Sequence, residues 1–208
     1  MSKRPTFLLA EGTRIRITSH NVRSETHGDE NVPSADIGIQ LNGHNNMLAM
    51  FDAGLKAALY EKAKTTPSDA AQGELSLPVS DLPHVRFPDL APLHHKRDLQ
   101  GYMLTLSIDD APVVLHDCKV NKFSFECVEG GSLIVRFRVQ CTGVDGDTYG
   151  KLAVAYTKGT DIECELVPPA GVAKKQATVF DDDDLPPPPP GSIAIDVGAF
   201  NQAAQLYP

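Results

Sequence analysis

No stretch of this 208-residue sequence approaches the roughly 18 uninterrupted apolar residues that a membrane helix requires. The basic start Met1-Ser2-Lys3-Arg4-Pro5 is followed by an apolar run that ends after Phe7-Leu8-Leu9-Ala10, shorter than a secretory core. The expectation is a soluble, cytoplasmic protein with no membrane association. Cys-x-x-Cys spacing is also missing: Cys118, Cys127, Cys141 and Cys164 stand far apart, which leaves a zinc site without support. Three of the four fall on the apolar phase of expected strands, where a free thiol behaves as a small core hydrophobe. Two disulfides are formally open in an oxidising compartment.

A Gly-rich phosphate loop and a nucleophile elbow are both lacking, so neither an enzyme nor a cofactor is expected. Positive charge is not in excess either. The net charge is −8, divided as −5 over residues 1–168 and −3 over residues 169–208. Generic duplex-DNA binding draws its affinity from many lysines and arginines, and an acidic body argues against it while leaving room for a local basic groove. No internal repeat is visible.

What is present divides into a β-rich body and a polar arm. Arg14, Arg16 and Thr18 alternate with Thr13, Ile15 and Ile17, the period-two pattern of a half-buried strand with one basic face. The polar stretch from Asn21 to Pro33 reads as a long turn, and Ile37, Ile39 and Leu41 mark a second strand. Asn45 or Asn46 is placed to cap a helix over about 46–64, with Leu48, Phe51, Leu55 and Leu59 on one stripe. Five prolines between Pro67 and Pro92 imply a connector with only short regular pieces.

The stronger strand signals follow. Tyr102, Leu104, Leu106 and Ile108 share a phase, Asp109-Asp110 turns, and Pro112 to Leu115 returns. Phe123, Phe125 and Cys127 then face Leu133 to Cys141 across Glu129-Gly130-Gly131. Tyr149–Tyr156 and Thr160–Val167 complete a sheet of seven or eight strands. With one helix, the fold class is mainly β (α+β): an antiparallel OB-like barrel or a small sandwich over residues 1–168.

Candidate chemistry lies in three places. His20, His27, Asp29 and Glu30 crowd the expected turn and read as a solvated loop rather than a metal site. His94-His95-Lys96-Arg97 is a compact cationic cluster within reach of a phosphate or simply an exposed loop. Arg14, Arg16, Lys122, Arg136 and Arg138, with Tyr102 and with Tyr149 or Tyr156 nearby, supply the cations and aromatic faces of a groove for single-stranded nucleic acid. The same cations equally form surface ion pairs with Glu126, Glu163 or Glu165, and one strand order cannot be preferred over another from spacing.

The arm from residue 169 to 208 is acidic and proline-rich, and is expected to be largely disordered. Its core is Phe180-Asp181-Asp182-Asp183-Asp184-Leu185-Pro186, four carboxylates flanked by apolar residues and followed by polyproline. That motif resembles the acidic tip of bacterial and phage single-stranded-DNA-binding proteins. The resemblance implies an OB-fold body that binds the strand and a tip, here Phe180 to Pro186, that recruits replication and recombination proteins. Pro187 stands where the family's terminal Phe would be, and 22 residues follow Pro186. The Arg23-x-Glu25-x-His27-Gly28-Asp29 stretch is similar to uncharacterised phage and prophage proteins. Residues 192–207, with Ile193, Ile195 and Val197 in alternation, form a candidate docking strand for a sheet edge.

The expectation is therefore a non-enzymatic, phage-type single-stranded-DNA binder, with oligomerisation open. The competing expectation is a virion component or an inhibitor of a host protein that binds no nucleic acid.

Overall fold

The computed structural model describes residues 6–27, 30–62, 80–90, 92–108 and 111–169. The Phe180 to Pro186 motif, the segment 192–207, Gly28-Asp29 and residues 63–64 lie outside them. Strands β1 (Leu9–His27), β2 (Glu30–His44), β6 (Leu99–Ile108), β7 (Ala111–Val128), β8 (Ser132–Thr142) and β9 (Ile162–Val167) make up the body. Short pieces β4 (His84–Val85) and β5 (Leu93–His95) belong to the proline-punctuated connector, and β3 (Tyr60–Glu61), which pairs with β4, lies before it within the span expected to be helix. Every pairing is antiparallel, and the order runs β1-β2-β8-β7-β6-β9 and back to β1, with β5 added on β7. The sheet thus closes on itself as a barrel and leaves few open edges.

Alternation drives this closure. On β8, Leu133, Val135, Phe137, Val139 and Cys141 point inward and the residues between them outward. The inward faces of β1, β2, β6, β7 and β9 contribute Ile15, Ile17, Ile37, Ile39, Leu104, Leu106, Val120 and Leu166 to one continuous core. Phe7, Phe51, Phe123 and Phe137 join it with ring centroids 5.1 to 5.8 Å apart, so the core is dense in aromatic contacts. Cys141 and Cys164 are buried free thiols, as their phase implied; Cys127, expected on the same kind of inward phase, is only half-buried, and Cys118 is buried as well.

The β7–β8 hairpin turns at Gly130 and Gly131, both with positive φ. Gly131 is the more constrained, because a Cβ there would lie 2.3 Å from Ser80 Cβ. The buried Asn45 is anchored beside it: its backbone N–H donates to Gly131 O, and its side-chain amide to Leu82 O.

Three expectations change. The polar stretch 21–33 is not a long turn: β1 and β2 continue their ladder to His27↔Glu30 and form a two-stranded ribbon past Ser34, where β8 pairing stops. Polar residues suffice there because a ribbon without a third strand has both faces accessible to water. The helix over 46–64 is instead a 3-10 helix, Asn45–Met50, and a short α1, Leu55–Leu59. Asp52 accepts from Gly54 N at 2.8 Å, a local turn that competes with helix continuation. The Leu48, Phe51 and Leu59 stripe still reaches the core. Neither Asn45 nor Asn46 caps this helix; the His44 side chain accepts from Asn46 N.

Tyr149–Tyr156 is not a strand but part of α2 (Gly146–Lys158). Asp145 caps its start by accepting from Thr148 N at 2.8 Å, and Gly159 ends it in the left-handed conformation. Leu152 and Ala155 then enter the core from one helical face, which a strand would have split between two.

Candidate nucleic-acid interface

Residues directly opposite on antiparallel strands project from the same face of the sheet. Arg16 on β1 lies opposite Gln40 on β2, Gln40 opposite Arg136 on β8, Arg136 opposite Ser124 on β7, and Ser124 opposite His94 on β5. These five residues form a polar belt on the barrel exterior, about 19 Å long at a strand spacing of about 4.8 Å. At one end Arg14, Arg16, Gln40, Asn42 and Asp161 line a shallow depression. At the other end His94, Lys96, Lys122 and Ser124 line a larger cleft.

The belt is partly neutralised. Arg16 pairs with Asp161 at 2.8 Å and Arg136 with Glu126 at 2.8 Å, all four side chains being well exposed to solvent. Such surface pairs are worth roughly 0 to 1 kcal/mol, so a phosphate oxygen can replace either carboxylate at little cost. Arg14, Lys96 and Lys122 form no ion pair among the described residues. Arg14 lies opposite Glu163 on β9 without bonding to it.

Arg138 stands one row away, opposite Gly38 and Asn121. Its guanidinium reaches Asp36 and Asn121, each at 3.2 Å, and Gln140 donates to the same Asp36 at 3.0 Å. Arg23 completes the clamp with an oxygen of Asp36 at 2.9 Å. Asp36 is 7 % exposed, so these cations are held by a nearly covered carboxylate. Arg138 is a structural tie of β2 to β8 and β7 rather than a free contact.

Tyr102 is not on this surface. It is 3 % exposed, its hydroxyl donates to Phe7 O at 3.0 Å, and burial raises its pKa. It shares the inward phase of Leu104 and Leu106, so the alternation that defines β6 removes it from any groove. Tyr149 is partly covered where α2 packs on β1, its ring centroid 5.9 Å from that of His20. Burial there lowers the His20 pKa and raises that of Tyr149. Tyr156 is exposed on α2, a helix outside the register row that forms the belt. The stacking faces expected beside the cations are therefore not supplied by these tyrosines.

His20 lies on the barrel wall opposite Ile37, and no cluster of three metal-ligating side chains occurs among the described residues. No described helix is long and apolar enough to cross a membrane. Gln40 and Ser124 belong to the belt although their sequence neighbourhood carries no motif; the only available signal was their outward phase on β2 and β7. Comparison with known proteins gives no match: no family model, no curated protein and no solved structure resembles the chain.

Proposed function

We propose that this chain binds single-stranded DNA without catalysing a reaction, the strand lying across the barrel from Arg14 and Arg16 past Arg136 to His94 and Lys122. The observation that carries the reading is the register-linked row Arg16, Gln40, Arg136, Ser124 and His94, with arginines at one end and in the middle and an imidazole at the other end. Phosphates supply the complementary charge, and amide and hydroxyl groups between the cations suit sugar and base edges. The belt is outside the barrel and open along its length, which fits a polymer better than an enclosed small substrate. A replication or recombination setting, with Phe180 to Pro186 recruiting proteins of those processes, follows from the tail resemblance.

Fluorescence polarisation with labelled oligo-dT across a salt series tests the reading. Binding whose log affinity falls linearly with log salt supports it, and no binding at low salt rejects it.

A second reading is a protein-interaction module of a phage particle or host inhibitor. It is favoured by Phe87 and Leu90, which are 54 % and 56 % exposed in one turn closed by Leu90 N donating to Phe87 O at 3.1 Å. Two large apolar side chains held outward by a turn suit a protein pocket. Absence of oligo-dT binding turns the choice to this reading.

A further inference from the structure

β7 carries one residue too many where it faces β8. Asn121 lies opposite Arg138 and Ser124 opposite Arg136, so Lys122 and Phe123 together stand against the single Phe137. This is a β-bulge, and at it Lys122 adopts a φ of 54°, the left-handed region that costs a non-glycine residue about 1 kcal/mol or more. The bulge shifts the alternation. Without it Lys122 would follow Val120 into the core and Phe123 would face water; with it Phe123 and Phe125 are buried and Lys122 is exposed.

Lys122 thereby meets the segment that follows β5. Between them is a cleft of about 740 Å3, within the range of about 300 to 1,000 Å3 typical of small-ligand sites. Several lining groups are already committed to the fold. The His95 ring packs on Phe51 and Phe125, the Arg97 guanidinium donates to Met50 O at 3.0 Å, and the Asp98 carboxylate faces Lys119 at 3.2 Å. The ammonium groups of Lys96 and Lys122, the imidazole of His94 and the hydroxyl of Ser124 remain for a ligand.

We propose that this cleft is a phosphomonoester pocket that takes the terminal phosphate of a nucleotide. A monoester carries a charge of about −1.5 to −2 at neutral pH and so matches the two lysine side chains that line this cleft, whereas an internal phosphodiester carries a single charge. His94 and Ser124 supply additional hydrogen bonds. They are also the last two residues of the belt, so a strand lying on it reaches the pocket with its end. That placement rests on the strand-binding reading; the pocket itself does not. The same chemistry is presented by a phosphorylated strand end and by a free nucleotide.

The test uses the full chain in two arms. Calorimetry compares dTMP with thymidine, and polarisation compares oligo-dT carrying a 5′-phosphate, a 3′-phosphate or hydroxyls at both ends. The variants are Lys96→Ala and Lys122→Asn, the latter because asparagine tolerates the left-handed backbone. The proposal expects dTMP to bind about tenfold or more tightly than thymidine, a preference lost in both variants. An end-phosphorylated oligonucleotide favoured by about tenfold over the hydroxyl-ended one identifies the strand end as the source. Binding of dTMP with no oligonucleotide binding identifies the free nucleotide and rejects the strand reading alone. Equal binding of dTMP and thymidine together with indifference to end phosphates overturns the pocket, and salt-sensitive binding of the hydroxyl-ended strand in that case leaves the strand reading standing. An unchanged dTMP affinity in folded Lys96→Ala also overturns it, whatever the stability of Lys122→Asn.

Discussion

Arg138 on β8 and Asp36 on β2 face one another with 3.2 Å between guanidinium and carboxylate, and Asp36 is the one charged residue that is buried among the described residues. Removing the arginine leaves that charge with Arg23 and Gln140 only. Arg138→Ala is expected to cost about 1 to 2 kcal/mol in urea denaturation, and Asp36→Asn in the same chain to recover part of it. A change below about 0.5 kcal/mol would show that the clamp is merely a surface pair.

Arg16 and Arg136 carry the opposite expectation. Their partners Asp161 and Glu126 are exposed, so replacing both arginines with alanine changes stability by no more than about 1 kcal/mol. Oligo-dT binding should weaken, and the salt dependence of log affinity should fall by about 1 to 2 units, at about 0.7 per phosphate contact. Unaltered binding by the folded double variant removes the belt from the interface.

The two turn glycines separate strain from crowding. Both have positive φ, but a Cβ on Gly130 meets nothing within 4 Å, whereas one on Gly131 meets Ser80 Cβ at 2.3 Å. Gly130→Ala should cost about 1 kcal/mol and Gly131→Ala about 2 to 3 kcal/mol. Equal melting temperatures for the two variants would contradict the close approach of Ser80.

Alkaline pH acts through Cys164. Burial pushes this thiol from its ordinary 9.0 up to about 12, with Glu165 nearby adding to the shift. The unfolded chain then loses the proton first, so it binds fewer protons than the native state between those values. The stabilising contribution is complete below pH 9 and is lost as pH rises toward 12, at about 1.4 kcal/mol per pH unit. Cys164→Ala should flatten the decline of unfolding free energy by about that slope between pH 10 and 11. A parallel decline in both proteins would assign the alkaline sensitivity elsewhere.

We propose that the acidic motif competes with the strand, the expectation for four adjacent aspartates carried on the same chain as the belt cations. Deleting residues 179–208 should therefore tighten oligo-dT binding at low salt, and the gain should shrink as salt screens charges about 10 Å apart. No change at any salt concentration would rule out competition, and loss of binding would place the deleted segment in the interface.

Local pattern determined much of this protein. Period two in Arg14 to Ile17, Ile37 to Leu41, Tyr102 to Ile108 and Leu133 to Cys141 sufficed for the main strands, for Gly130-Gly131 as a turn and for the outward direction of Arg14, Arg16, Arg136 and Arg138. It also contained the inward position of Tyr102. The α2 helix was legible in the Asp145 cap and Gly159 stop, but strand-forming Tyr, Val and Thr residues between them pointed the other way. Ring order was decided only by tertiary structure, because antiparallel closure depends on which hydrophobic faces meet across more than a hundred residues of chain. Closure is what sets Arg16 and Arg136 in one row with His94, and the bulge at Lys122, a response to packing Phe123 inward, is what brings that lysine to the cleft.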